Sequence, residues 1–336
     1  MKGWDIVYNS DEKFLRFVSV SMVSLLENCR DAERISFHVL GSGLLQESMD
    51  RLSRMVGSYG EGRSVSFIDI SDIRGRIDED SGSVVETGRF GYAAFGRIMA
   101  PSLLPEVKEL LYLDGDTLVL RSLSQVFEHG VSEGDLASMA MEPTIYPEVK
   151  AEAGLSEEEP YYNSGVIFMD AEAWRREDIY GKSMEYLSGK NGELGFPDQD
   201  ILNHVLRGRV TPLPQCYNFI AGYRYQSYGH LKKKAAWFAP PKGREGFEKA
   251  RRDPAVLHFA GDERPWIRGN LSHYRHIYRR YAALTPWKDE KDLPGNRLYM
   301  LAYHMVDLLT FLAPGLRDRI SDIYYKTRVR KRIVKE

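Results

Sequence analysis

Asp5-Ile-Val-Tyr8, Ile35-Ser-Phe-His-Val-Leu40 and Val65-Ser-Phe-Ile-Asp-Ile70 are short runs rich in β-branched and aromatic residues. Stretches with apolar residues at helical spacing, 15–28 and 44–56, separate them. Strand and helix patterns in alternation mark a mainly parallel sheet covered by helices, an α/β architecture. In such sheets ligands bind beyond the carboxyl ends of strands, where loops leave the sheet. Polar motifs fall at those ends: Ser10-Asp-Glu12 after the first run, Asp114-Gly-Asp116 after a later one, and Phe259-Ala-Gly-Asp-Glu-Arg-Pro-Trp266 after the short run 255–257. No Gly-x-Gly-x-x-Gly opens the first helical pattern, which disfavours a dinucleotide fold.

Bulk properties narrow the classes. A chain of 336 residues with 43% hydrophobic content can fill a sizeable core as one large α/β domain or two modest ones. The formal net charge of −2 gives no overall electrostatic case for nucleic acid as a partner. Cys29 and Cys216, far apart in sequence, build neither a disulfide framework nor a zinc site. The opening Met1-Lys-Gly-Trp-Asp-Ile-Val-Tyr8 lacks the charged start and apolar stretch of a signal peptide, so a cytoplasmic location is expected. The most apolar stretch, 299–313, is interrupted by His304 and Asp307 and falls short of the roughly 18–20 residues of a membrane span.

Asp114 and Asp116 end the apolar run Glu109-Leu-Leu-Tyr-Leu-Asp-Gly-Asp-Thr-Leu-Val-Leu120. Side chains two apart on an extended backbone share a face, so the pair can present two carboxylates to one cation. Oxygen ligands suit Mg²⁺ or Mn²⁺, which commonly complete their shells with water and substrate phosphates. The other reading is an acidic turn between buried strands, since Asp-Gly is ordinary turn chemistry. Tyr162-Asn-Ser-Gly-Val-Ile-Phe-Met-Asp170 reads as a strand whose polar start, Asn163-Ser164-Gly165, enters a site. Pro197-Asp-Gln-Asp-Ile-Leu-Asn203 reads as a helix start with Asp198 at the N-cap. His258 follows a strand and precedes a glycine loop, so it can offer a neutral imidazole to a metal. Each also has a purely structural reading: a hydrogen-bonded Asn, a cap, a core histidine.

Taken together and in this order, Trp4-Asp-Ile-Val-Tyr-Asn-Ser-Asp11, Arg97, Tyr112-Leu-Asp-Gly-Asp116, Tyr162-Asn-Ser-Gly165, Pro197-Asp-Gln-Asp200 and His258-Phe-Ala-Gly-Asp-Glu-Arg-Pro-Trp266 resemble the motif set of glycosyltransferase family 8. That family holds bacterial lipopolysaccharide galactosyl- and glucosyltransferases and is related to glycogenin. The resemblance spans about residues 4–287. It implies a GT-A fold with a Rossmann-like central sheet, a donor that is usually UDP-glucose or UDP-galactose, Mn²⁺ or Mg²⁺, and retention of configuration. Residue by residue it implies Asp114, Asp116 and His258 as metal ligands, and Asn9 and Asp11 at the uracil and ribose. Arg97, Asn163 and Asp198 would grip the donor sugar, with Gly115 and Ser164 among the donor contacts. Gln199 would face the anomeric carbon from the side opposite the diphosphate, Gly261 would admit the phosphates, and Arg264 would neutralise them.

The chain also departs from the family pattern. Lys13 and Phe14 stand where Asn and Tyr are usual, so the uracil pocket is altered and Phe14 keeps stacking without the hydroxyl. Arg264 replaces a lysine, a planar fork in place of a point charge. Gln199 is a poor nucleophile, so front-side attack by the acceptor is favoured, and Asp198 is the candidate nucleophile for a double displacement.

Three further segments carry expectations. The polar, glycine-rich stretch 72–91 shows no clear periodicity and reads as a lid or a long surface loop. The stretch 223–252 reads as irregular surface that contributes to an acceptor site. After residue 284 the chain reads as a helical extension, 285–336, beyond a catalytic domain, 1–284. From Arg317 onward it holds eight basic residues against three acidic ones. Basic and aromatic residues together suit peripheral contact with an anionic membrane, and a solvated helical tail is the alternative. The sequence thus points to a hexosyltransferase acting on a glycan or glycolipid acceptor. A self-glycosylating enzyme with Tyr223, Tyr225 or Tyr228 as acceptor, and a nucleotide-sugar-binding scaffold, are the rival readings.

Overall fold

A computed structural model of the protein describes residues 3–85, 91–190, 194–261 and 264–324. Ten strands appear among them: β1 (Trp4–Asp11), β2 (Ile35–Ser42), β3 (Arg63–Asp69), β4 (Glu109–Leu113), β5 (Thr117–Val119), β6 (Ala137–Met141), β7 (Tyr162–Asp170), β8 (Val210–Pro212), β9 (Phe219–Ile220) and β10 (Val256–His258). Seven form the central sheet in the order β3-β2-β1-β4-β7-β6-β8. Every pairing in it is parallel except those of β7, which runs antiparallel to β4 and β6. The sheet is therefore mainly parallel with one reversed strand, as the alternation requires. A small second sheet, β5-β10-β9, stands beside it.

The first crossover shows how the sequence produces this layer. Helix Leu15–Asn28 buries eleven of its fourteen residues, Leu15 and Phe17 through Leu26, leaving little polar surface. It is sandwiched between the sheet and outer elements, as a helix apolar around most of its circumference must be. Ser19, Ser21 and Ser24 are tolerated inside because their hydroxyls bond Arg16 O, Tyr8 and Thr117, and Ser21 O. Strand β7 is buried along eight of its nine residues, consistent with its central place.

Two segments differ from expectation. Within 72–91, residues Ile73–Ser81 form a helix, closed by Gly82 in the left-handed region at φ +64°. Ile73, Ile77 and Ser81 make its buried stripe at i, i+4 and i+8, a spacing the surrounding charges obscured. The remainder of that segment, 86–90, lies outside the described residues. Within 223–252, Tyr228–Lys234 and Gly243–Arg252 are helices that bury Leu231, Phe247 and Ala250, with Phe247 packed on Phe219, Tyr223 and Phe238. At the C-terminus, Arg297–Leu312 and Pro314–Tyr324 form a helix pair. No described helix is long and apolar enough to cross a membrane. The basic residues Lys326, Arg328, Arg330, Lys331, Arg332 and Lys335 lie outside the described residues.

Candidate active site

Asp114 and Asp116 sit in the turn between β4 and β5, so turn geometry, not strand alternation, aims them together. His258 ends β10, which pairs antiparallel with β5 and brings Thr117 opposite the histidine. One ligand atom from each of the three residues lies within 4.8 Å of the others. His258 Nε2 is 3.2 Å from Asp116 Oδ1 and 3.7 Å from Asp114 Oδ2. Its Nδ1 is 2.9 Å from Asn218 Oδ1, which accepts the ring N–H and turns Nε2 toward the carboxylates. An imidazole oriented by an amide acceptor and two carboxylates is a donor set that suits Mn²⁺ or Mg²⁺. Burial disfavours charge on both His258 and Asp116, and their mutual attraction outweighs it. The histidine is held above its ordinary pKa and the aspartate below.

Behind His258 runs a buried chain of hydrogen bonds. Asn218 Nδ2 donates to Asn163 Oδ1 at 2.8 Å, Asn163 Nδ2 donates to Glu142 Oε2 at 2.9 Å, and Tyr223 Oη donates to Glu142 Oε1 at 2.8 Å. The backbone N–H of Gly165 also donates to Asn163 Oδ1. Gly165 is glycine for a steric reason: a Cβ there would stand 2.2 Å from His258 Cε1 and 2.8 Å from Asp114 Oδ2.

On the other flank Arg97, from helix Gly96–Leu103, ties four groups together. Its guanidinium donates to Asp114 Oδ1 at 2.8 Å and to Ser164 O and Oγ at 2.8 Å, and lies 3.0 Å from Asp198 Oδ2. Burial works against its charge, yet Asp114 and Asp198 hold its pKa above the usual arginine value. Burial raises the pKa of Asp198, with Arg97 opposing. Asp198 is not the N-cap. Phe196 occupies that position without a side-chain bond, Pro197 begins the helix Pro197–Val205, and Asp198 turns inward to Arg97 and Ser164. Asp200 does the local work instead, accepting the Phe196 backbone N–H through Oδ2. Gln199 Oε1 accepts Ser164 N at 3.0 Å, and its Nε2 donates to Tyr161 Oη at 3.3 Å.

These groups share one cleft of about 720 Å³. Asn9, Asp11, Arg97, Asp114, Gly115, Asp116, Asn163, Ser164, Asp198, Gln199, His258, Gly261 and Arg264 all line it. Gly261 adopts φ +92° in the loop after β10, a backbone that a larger residue would strain. Phe14 lines the cleft too. The loop is pinned by Trp266, whose ring stacks on Phe17 at 4.4 Å, while Arg264 reaches Asp116 at 3.3 Å.

The glycosyl transferase family 8 model matches residues 5–269. The chain belongs to glycosyl transferase family 8. Among its relatives, general stress protein A of Bacillus subtilis is 28% identical over 84% of this chain and 94% of that one. Lipopolysaccharide 1,2-glucosyltransferase of Escherichia coli K12 is 25% identical over 85% of this chain and 79% of that one. Of solved structures, galactosyltransferase LgtC in complex with donor and acceptor sugar analogues aligns with a TM-score of 0.68 at 22% identity, covering 84% of this chain and 96% of that one. The architecture is the GT-A fold, and the protein is a glycosyltransferase.

Residues that the sequence did not single out complete this family 8 cleft. Asn218 and Glu142 carry the bond chain behind His258, and Tyr112 Oη donates to Asp114 Oδ1 at 2.8 Å while accepting from Asn9 Nδ2. Tyr161 joins Gln199 to Asp200. Tyr112 stands in the motif Tyr112-Leu-Asp-Gly-Asp116 with its partner Asp114, whereas Asn218, Glu142 and Tyr161 stand in no spaced motif with theirs, so only the fold reveals them. Of the tyrosines considered as self-acceptors, Tyr223 is 1% exposed and spends its hydroxyl on Glu142. Tyr228 packs on Phe238 and Phe247.

Proposed function

We propose that the chain is a metal-dependent retaining hexosyltransferase that moves glucose or galactose from a UDP-sugar to a glycan acceptor, in synthesis of lipopolysaccharide or another surface polysaccharide. The observation that carries this is the convergence of Asp114, Asp116 and an Asn218-oriented His258 at the cleft. These three would hold Mn²⁺ or Mg²⁺, which supplies Lewis-acid stabilisation of a departing diphosphate. The similarity to a lipopolysaccharide 1,2-glucosyltransferase and to a galactosyltransferase bound to an acceptor sugar analogue supports the acceptor class.

The protein groups supply position and charge. Asn9 and Asp11 would take the nucleoside end, and Arg97, Asn163 and Asp198 the donor sugar. Arg264 adds positive charge beside Asp116, where negative charge collects as the sugar leaves. The anomeric carbon gains oxocarbenium character as its bond to the diphosphate oxygen breaks. The acceptor hydroxyl oxygen forms the new bond, and its proton passes to the departing phosphate oxygen. Asp198 has its Oδ2 engaged by both Arg97 and Ser164, which weakens it as a nucleophile and favours front-side attack. Gln199, fixed by Ser164 and Tyr161, would present a neutral amide to the developing cation.

Membrane contact belongs to the same reading. The helix pair exposes Leu298, Leu301, Met305, Leu308, Leu312 and Leu316, and the basic sequence follows directly. An exposed apolar helix face followed in the sequence by cationic residues suits peripheral binding to an anionic leaflet, close to a lipid-linked acceptor. The deciding experiment incubates the protein and Mn²⁺ with UDP-, GDP- and ADP-sugars and measures nucleoside diphosphate release with and without EDTA. Metal-dependent release from one UDP-hexose is expected; binding with no release under any acceptor would move the scaffold reading to the front.

A further inference from the structure

The family match ends at residue 269, yet the cleft does not. Tyr303, Arg317 and Asp318, from the C-terminal helix pair, line it together with Tyr146, Gln226 and Lys234. The pair is docked there by specific contacts. Asp318 Oδ2 lies 2.9 Å from His230 Nε2 and its Oδ1 3.5 Å from Lys234 Nζ. Phe311 packs edge-on against Tyr225, and His304 Nε2 accepts the Leu271 backbone N–H.

The chemistry of this wall selects a ligand. Gln226 lines the cleft, and its buried Oε1 has no hydrogen-bond partner among the described residues. A buried acceptor without a donor is costly, so a ligand hydroxyl gains by filling it. Tyr146 and Tyr303 bring rings to the cleft, approached by Lys234 Nζ at 5.8 Å and by the Arg317 guanidinium at 5.5 Å, and Gln226 and Asp318 offer planar polar groups. Rings for the C–H face and planar groups for the hydroxyls are the combination that binds a pyranose. The charge balance distinguishes sugar types. Lys234 is engaged by Asp318, and Arg317 lies 3.7 Å from Asp307, so the cations are already countered. A neutral hexose fits this wall better than a phosphorylated or acidic one.

We propose that Gln226, Tyr303 and Asp318, with Tyr146, form an acceptor subsite for a neutral hexopyranose, so that the helix pair outside the family match selects the acceptor. This rests on the transferase reading above. The test is saturation-transfer NMR on the full chain loaded with UDP and Mn²⁺, using methyl β-galactopyranoside and methyl α-glucopyranoside as probes. The unaltered protein is expected to bind at least one glycoside. Gln226→Leu and Tyr303→Ala each weaken that binding by about two- to tenfold, the range of one hydrogen bond or ring contact. Tyr303→Phe, which keeps the ring, restores it. The two sites lie on separate elements, so misfolding of one variant leaves the other to decide. Unchanged affinity in the folded variants overturns the subsite, as does absence of binding to both glycosides by protein that still binds UDP. Failure to bind UDP as well overturns the transferase reading with it.

Discussion

The start of β7 and the helix Arg297–Leu312 line the same cleft by opposite means. In β7, Asn163 and Ser164 are buried and fully engaged, by Glu142, Asn218 and Gly165 on one side and Arg97, Asp198 and Gln199 on the other. In the helix only Met300, Asp307 and Thr310 are buried, and its long leucines face outward. The contrast separates two tasks. Placing the proposed metal and diphosphate would demand groups whose rotamers are locked by neighbours, because small displacements there are expensive. The proposed acceptor and membrane contacts would need only a docked surface, whose residues can change without disturbing the chemistry.

Breaking the locked region should have the largest effects. Arg97→Leu leaves Asp198 and Asp114 without their guanidinium, and we expect a loss of about 3–5 kcal/mol in urea unfolding. A smaller loss would mean that the two carboxylates find other partners. Asp116→Ala removes a carboxylate from the proposed metal site and is expected to lower Mn²⁺-dependent donor turnover by at least about a hundredfold. Near-normal turnover would remove the aspartate from the metal site. Asn218→Leu keeps the branched shape but leaves His258 Nδ1 without its acceptor. Mn²⁺ titration of donor turnover should show about 10–100-fold weaker metal dependence, with a stability loss of about 1–3 kcal/mol from the unpaired buried N–H.

A gentler test of the same network uses pH. Burial first, with Asp198 and Glu152 adding, pushes Asp200 up to about 7 against the hydrogen bonds from Tyr161 and Phe196. Unfolded, such a carboxyl titrates near about 4. Between about pH 4 and 7 the folded chain holds a proton that the unfolded chain releases, so this group's contribution to stability falls as pH rises. Urea unfolding of the unaltered protein and Asp200→Asn at pH 5 and pH 8 should show the unaltered protein losing ground relative to the variant at the higher pH. A constant difference would place the titration elsewhere. On the outer helix face the effects should be smallest. Leu308→Asp with Leu312→Asp is expected to reduce sedimentation with phosphatidylserine vesicles while leaving urea unfolding nearly unchanged, and full retention on vesicles would discard the membrane contact.

How much was legible differs along the same lines. The helix read over 15–28 spans those residues in the structure, since apolar periodicity reports the buried face directly. The stretch 72–91 hid a helix because three buried residues among charges give a weak signal. The stretch 223–252 hid two, since its aromatics pack on each other and not along one stripe. Asp198 was legible as important and misread in detail: the Pro197 that signals a helix start also shifts the cap to Phe196 and turns the carboxylate inward.

By itself the sequence determined the alternating architecture and the order of the motif residues, because both are written in local pattern. The tertiary structure alone decided what those residues do to one another. Strand β10 pairs beside β5 and so brings His258 to Asp116, 142 positions earlier in the chain. The reversed strand β7 puts Gly165 where only hydrogen leaves room for the imidazole. Asn218 matters because the parallel β9–β10 pairing sets it beside His258, and the C-terminal helices reach the cleft through contacts with residues that include 225, 230, 234 and 271. Such relations depend on distance in space, which chain spacing does not encode.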